Sequence, residues 1–128
     1  MLQFAKNENW YIDTSEERYP FILHQRISRV LTKELFGIND IRILDAIECH
    51  TTLKPNPSPY DMVLFVADKL SWDQEGLPPF YQLLRVELEK SLEQASLLYM
   101  NYMIDNKMIL YPHQWFNNAV DFLKMKLL

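Results

Sequence analysis

Only two glycines, Gly37 and Gly76, punctuate the 128 residues, against an average usage of about 7%. Glycine is the residue that enters left-handed turns freely, so there is little material here for hairpins. This argues against an all-β fold and excludes the glycine-rich loops that cradle nucleotide phosphates. Apolar residues instead recur at helical spacing between proline and polar breaks, which predicts an all-α chain.

Composition bounds the rest. With 48% hydrophobic and 23% charged residues, the chain reads as one compact domain, residues 1–128, large enough to bury roughly two thirds of its unfolded surface. The single cysteine, Cys49, excludes an internal disulfide, and no basic segment leads into an apolar signal core, so the expected compartment is the cytoplasm. Apolar runs are cut after about eight residues, well short of the roughly 20 needed to cross a bilayer, so no membrane partner is expected. Seventeen acidic against thirteen basic residues, a net charge of −4, remove nucleic acid from the expected partners, because phosphate backbones are held by clustered Lys and Arg.

Along the chain, Met1 to Asn9 reads like the tail of a helix whose beginning is absent, and residues 1–19 as a remnant segment. Asp13-Thr14-Ser15 supplies capping oxygens ahead of Glu16 and Glu17 for a short turn that stops before Pro20. Pro20 can open the next helix, in which Leu23, Ile27, Val30, Leu31 and Leu35 share a stripe that closes at Phe36-Gly37. Asn39 is placed to cap a second helix running out at Glu48-Cys49-His50. Two prolines make Leu53 to Pro57 irregular. Ser58-Pro59-Tyr60-Asp61 then reads as a capping box that starts a third helix, expected to be the most buried because Met62 to Leu70 is nearly all apolar. Helices from Phe80 to about Glu87 and from Leu92 to Asp105 follow. Pro112 leads a last helix with Trp115, Ala119, Phe122 and Leu123 facing inward.

His24, His50 and Asp68 stand out as groups that could carry chemistry. An ionised Asp68 within Phe65-Val66-Ala67-Asp68-Lys69-Leu70 costs several kcal/mol if buried unpaired, so it needs a partner. That partner is a basic side chain, a helix-end donor or a metal ion, and two imidazoles plus a carboxylate are a ligand set for a divalent metal. His50 at a helix end is also favoured by the helix dipole alone, and His24 beside an apolar stripe fits a boundary residue equally well. Thr51 and Thr52 offer hydroxyls to a loop or to a phosphate oxygen, which makes them candidate substrate contacts. Cys49 reads as buried and structural, because adjacent helical residues diverge by about 100° and so do not form a Cys-His pair. His113, at a helix start, reads as a surface or boundary residue, and Trp72 as packing or an interface anchor.

Several phrases taken together carry a family resemblance. They are Leu23-His24, Phe36-Gly37-Ile38, Ile43-Leu44-Asp45-Ala46-Ile47 running into His50-Thr51-Thr52, and Val66-Ala67-Asp68. From about Pro20 to Leu123 the chain resembles the C-terminal part of the YqeK-like branch of the histidine-aspartate (HD) domain phosphohydrolases, which cleave symmetrical dinucleoside tetraphosphates. The resemblance implies an HD-like helical bundle, N-terminally truncated. It also implies a metal site holding His24, His50 and Asp68, with iron or manganese as the divalent ion.

The sequence departs from that family in ways that bear on function. No His-Asp dipeptide occurs, Gln74 stands where a phosphate-contacting Arg is expected, and Leu53 stands where the family tends to have Gly. Gln lacks the charged fork that grips phosphate. The expectation is therefore an impaired homologue acting on nucleotide phosphoanhydrides. The alternative is a noncatalytic nucleotide-binding or protein-interaction module that pairs with a second copy of itself.

Overall fold

A computed structural model describes residues 1–128. Eight α-helices follow one another: α1 (Leu2–Asn7), α2 (Thr14–Arg18), α3 (His24–Phe36), α4 (Ile41–Glu48), α5 (Pro59–Leu70), α6 (Tyr81–Leu88), α7 (Leu92–Asp105) and α8 (Gln114–Lys126). A 3₁₀ turn, Pro20–Leu23, leads directly into α3. There is no strand, as the scarcity of glycine implies. None of the helices is long and apolar enough to cross a membrane.

The ends of these helices follow from local chemistry. Ser58 and Asp61 form the predicted capping box, each side chain taking the other's backbone N–H, with Pro59 in the first turn of α5. Gly37 closes α3 at φ +65°, a left-handed position that only glycine occupies without cost. The cap of α4 is displaced by one residue from expectation. Asp40, whose carboxylate accepts the Arg42 N–H, does the capping, while the Asn39 amide donates to the Gly37 carbonyl.

Packing joins two layers. Helices α3, α4 and α5 pack in succession, α6 and α8 both pack on α7, and the α5–α7 contact unites the two halves. The core lies at that junction, around Phe65, Met62, Leu84, Met100 and Leu123, all of them buried. Each such side chain stabilises the fold by about 1.5–3 kcal/mol relative to exposure. Helix α5 is buried on one face only. Asp61, Met62, Phe65 and Val66 point inward while Val63 is 53% exposed, so the helix expected to be the most buried is amphipathic, its nearly all-apolar run notwithstanding. In α8 the inward stripe is Phe116, Ala119, Val120 and Leu123, and Trp115 and Phe122 flank it half-buried.

The loop after α4 explains one sequence departure. Leu53 holds φ +59° and is fully buried. A glycine would adopt this backbone freely, whereas a leucine meets a penalty of about 1–2 kcal/mol there. Burial of its side chain in the core offsets that penalty.

Candidate metal centre

His24 is the first residue of α3, and its ring turns back over the preceding 3₁₀ turn, where Nδ1–H donates to the Phe21 carbonyl at 2.5 Å. His50 follows the last turn of α4, and its Nδ1–H donates to the Ile47 carbonyl at 2.6 Å. A carbonyl can only accept, so both rings carry their proton on Nδ1 and leave a lone pair on Nε2. Those two Nε2 atoms face each other at 2.9 Å, with the rings edge to face. The Thr51 hydroxyl lies 3.2 Å from the His24 Nε2 and can donate to it.

Two lone pairs in register repel unless a proton or a cation lies between them. Two donors bound at about 2.0–2.1 Å to one divalent ion, at right angles, stand roughly 3 Å apart. Metal-ligating histidines also donate their other N–H to a carbonyl, as both do here. His24 and His50 therefore fit adjacent positions on one divalent ion. Burial, outweighing the Ile47 hydrogen bond, holds His50 below the ordinary histidine range, helped by the charges of His24 and Lys69. That favours the neutral imidazole a metal requires.

Asp68 is placed differently. No three His, Cys, Asp or Glu side chains converge on one point in the manner of a metal site. The Asp68 side chain is 48% exposed and pairs with Lys69 at 3.1 Å, so the expectation of a carboxylate buried among apolar neighbours is corrected. Helix geometry gives the reason. At about 100° per residue, Lys69 falls on the centre of the stripe formed by Asp61, Met62, Phe65 and Val66, and Asp68 about a quarter turn to one side. The buried group is Lys69, whose side chain is 9% exposed and whose ammonium donates to the His50 carbonyl at 3.0 Å and lies over the Phe65 ring. Asp68 is still near enough for its charge to draw the His50 titration upward against burial.

The His50–Leu53 turn is fastened to α3 by Gln25, a residue the sequence did not single out. Gln25 is fully buried; its carbonyl oxygen accepts the N–H groups of Thr51 and Thr52, and its amide donates to the Thr52 hydroxyl. The Thr52 hydroxyl in turn donates to the Leu53 carbonyl, so it is committed to the loop rather than open to a phosphate. A polar residue directly after His24, at the start of an amphipathic helix, was the available signal.

Other candidates find plain roles. Cys49 is buried, and burial pushes its thiol up to about 12, so it is no thiolate. His113, expected at the surface or boundary, is 8% exposed; it caps α8 by accepting the Trp115 N–H and turns its other nitrogen toward buried Glu16. Trp72 packs edge-on against Phe80.

Comparison with known proteins places this arrangement. A 106-residue stretch is 42% identical to an uncharacterized protein in the pepC 5' region of Lactococcus lactis subsp. cremoris, covering 83% of this chain and 54% of that protein. A shorter stretch of 88 residues is 34% identical to a probable nicotinate-nucleotide adenylyltransferase/Ap4A hydrolase of Mycoplasma genitalium, covering 64% of this chain and 25% of that one. The chain thus spans about half the length of one curated relative and a quarter of the other. The fold superposes with a TM-score of 0.81 and 27% identity on a predicted HD superfamily hydrolase involved in NAD metabolism from Clostridium acetobutylicum, over 98% of this chain and 66% of that one. Residues 5–73, which carry His24, His50 and Asp68, match the HD domain, and the chain belongs to the HD-domain family.

Proposed function

We propose that this chain is a cytoplasmic, metal-dependent phosphohydrolase homologue of the YqeK-like type, acting on nucleotide phosphoanhydrides of the dinucleoside tetraphosphate class. His24 and His50 hold one divalent ion, iron or manganese, with Asp68 as the carboxylate at its edge. The observation that carries this reading is the pair of Nε2 lone pairs facing each other at 2.9 Å, each ring locked by its own carbonyl. An ion bound there supplies Lewis-acid polarisation of a phosphoryl oxygen. The chain's own contribution is to keep His50 neutral, to aim both imidazoles, and to hold Thr51 beside them. Activity of these 128 residues alone is expected to be weak, because they contain no His-Asp dipeptide and carry Gln74 where a phosphate-contacting Arg is expected.

Calorimetric titration with Mn²⁺ tests this. The expected result is one site that disappears in His50→Ala, together with slow ADP release from diadenosine tetraphosphate that disappears in Asp68→Ala. A protein that takes up neither Mn²⁺ nor Fe²⁺ at millimolar concentration sinks the reading.

One surface favours a second reading as a noncatalytic module paired with a second copy of the chain. Leu35, Phe36 and Ile41 are 71%, 75% and 57% exposed where α3 gives way to α4. Sedimentation should show concentration-dependent dimerisation that Phe36→Glu abolishes, and a strict monomer removes this reading.

A further inference from the structure

Glu16 is fully buried, and its donors all converge on one oxygen. Oε1 accepts the Asp13 N–H at 2.9 Å, which closes the capping box of α2, and an Arg26 Nη1–H at 3.3 Å, with the His113 Nε2 at 3.7 Å. Oε2 meets no donor within the chain. Burial opposes ionisation, yet the nearby His113 imidazole, the Asp13 N–H and the Arg26 charge hold the carboxyl below its ordinary value, so it is a carboxylate at neutral pH. A buried carboxylate oxygen without a donor is costlier still than a neutral one.

The same glutamate lines a cavity of about 340 Å³, walled by α2 and the chain before it, α3, the end of α4 and the start of α8. Three carboxylates, of Asp13, Glu16 and Glu48, meet one guanidinium there, that of Arg26, so the wall is acidic. Most of these groups are spent. Arg26 donates to the Tyr11 carbonyl as well as to Glu16, and lies over the Trp10 ring at 4.5 Å. Glu48 pairs with Arg29 at 2.9 Å, and Asp13 accepts the N–H groups of Ser15 and Gln114. The charge left without a partner is the Glu16 Oε2, in a cavity that the half-buried Trp115 also lines.

An anion is repelled by such a wall. A metal ion needs several oxygen or nitrogen ligands at once, and no three His, Cys, Asp or Glu side chains converge here. A primary ammonium needs only one carboxylate: it is a compact charge with N–H donors, and indole faces attract it. We propose that this cavity binds a small primary alkylammonium, which donates to the free Oε2 of Glu16 and lays its carbon stem along Trp115. The volume lies at the lower edge of the range for small-molecule sites, which suits an amine of a few carbons. None of the lining residues is His24, His50 or Asp68, so the site stands or falls separately from the metal reading.

Indole N–H NMR of the full chain tests it, with n-butylammonium, tetramethylammonium and n-butanol added separately at matched ionic strength. n-Butylammonium is expected to shift the Trp115 signal saturably and to leave that of Trp72, which packs on Phe80, in place. n-Butanol lacks the charge and tetramethylammonium lacks the N–H donors, so neither moves Trp115 at the same concentration. Glu16→Gln weakens n-butylammonium at least about tenfold, the lower end of what a hydrogen bond to a charged group is worth. Asn118→Lys, at an exposed position in the wall, sets a tethered ammonium against the ligand and weakens it by roughly the same factor. The core methyls of Met62 and Met100 report whether each variant stays folded. A Trp115 signal unmoved by n-butylammonium, an equal shift with tetramethylammonium, or a folded Glu16→Gln that binds as the parent does overturns the site. Where Glu16→Gln does not fold, parental binding by Asn118→Lys overturns it.

Discussion

His24 and His50 face each other through Nε2 atoms 2.9 Å apart although 26 residues separate them, and each ring is held by a carbonyl three residues upstream. Nitrogen-15 NMR of the metal-free protein at pH 8 should show both imidazoles as the Nδ1–H tautomer. The His50 titration should fall below the ordinary 6.5. A His50 midpoint above 7 contradicts the burial that keeps it neutral.

Lys69→Met separates the roles of the two neighbours on α5. The buried stem of Lys69 is matched by methionine, and Asp68 is left half in water, so stability should change by no more than about 1 kcal/mol. Removing the cation frees Asp68 and relieves repulsion of a divalent ion, so Mn²⁺ should bind roughly tenfold more tightly. Weaker binding in this variant argues against Asp68 as a neighbour of the ion.

Gln25→Ala leaves the N–H groups of Thr51 and Thr52 without their acceptor. Orphaned buried donors cost about 1–3 kcal/mol, read as a lower denaturation midpoint at unchanged slope. Because the same turn carries His50, metal affinity should fall too. A variant that loses stability but binds Mn²⁺ normally shows that the turn holds His50 without this tie.

Acid sensitivity should centre on Glu16. Burial raises its carboxyl, but the nearby His113 imidazole, the Asp13 N–H and the Arg26 charge outweigh that and hold it below the usual 4.5. A carboxyl depressed on folding stabilises the protein above its unfolded value, and that stability is lost as pH falls below about 4.5. Glu16→Gln should cost about 1–3 kcal/mol at pH 7 and flatten the acid limb of the stability curve. An unchanged acid limb places the sensitivity elsewhere.

Leu53→Gly weighs backbone against core. Relief at φ +59° returns about 1–2 kcal/mol, and loss of a fully buried leucine costs about 3–5 kcal/mol. Net destabilisation of about 2 kcal/mol is expected in urea unfolding, and a more stable variant reverses that balance.

Much of the architecture was legible because its determinants are local. The Ser58–Asp61 box and the Gly37 stop each involve residues within about one turn of one another, whereas the expected stripe of α3 leaves Leu31 and Leu35 45% and 71% exposed and buries Gln25 instead. The one-residue slip at Asp40 arose because Asn39 and Asp40 are both good caps, and only the path of the chain out of Gly37 chooses between them. The burial of Lys69 followed from helical spacing alone, yet a charged residue is so seldom buried that the apolar run around Asp68 drew attention to the wrong neighbour.

From its sequence alone this chain specifies its helices and most of their ends, because hydrogen bonds within a helix and at its caps depend on neighbours a few residues away. Tertiary structure alone decided that His24 meets His50 and that Gln25 ties down the Thr51–Thr52 turn. Those relationships depend on how α3, α4 and α5 cross, which is set by the packing of whole faces and leaves no periodic mark on the residues that converge.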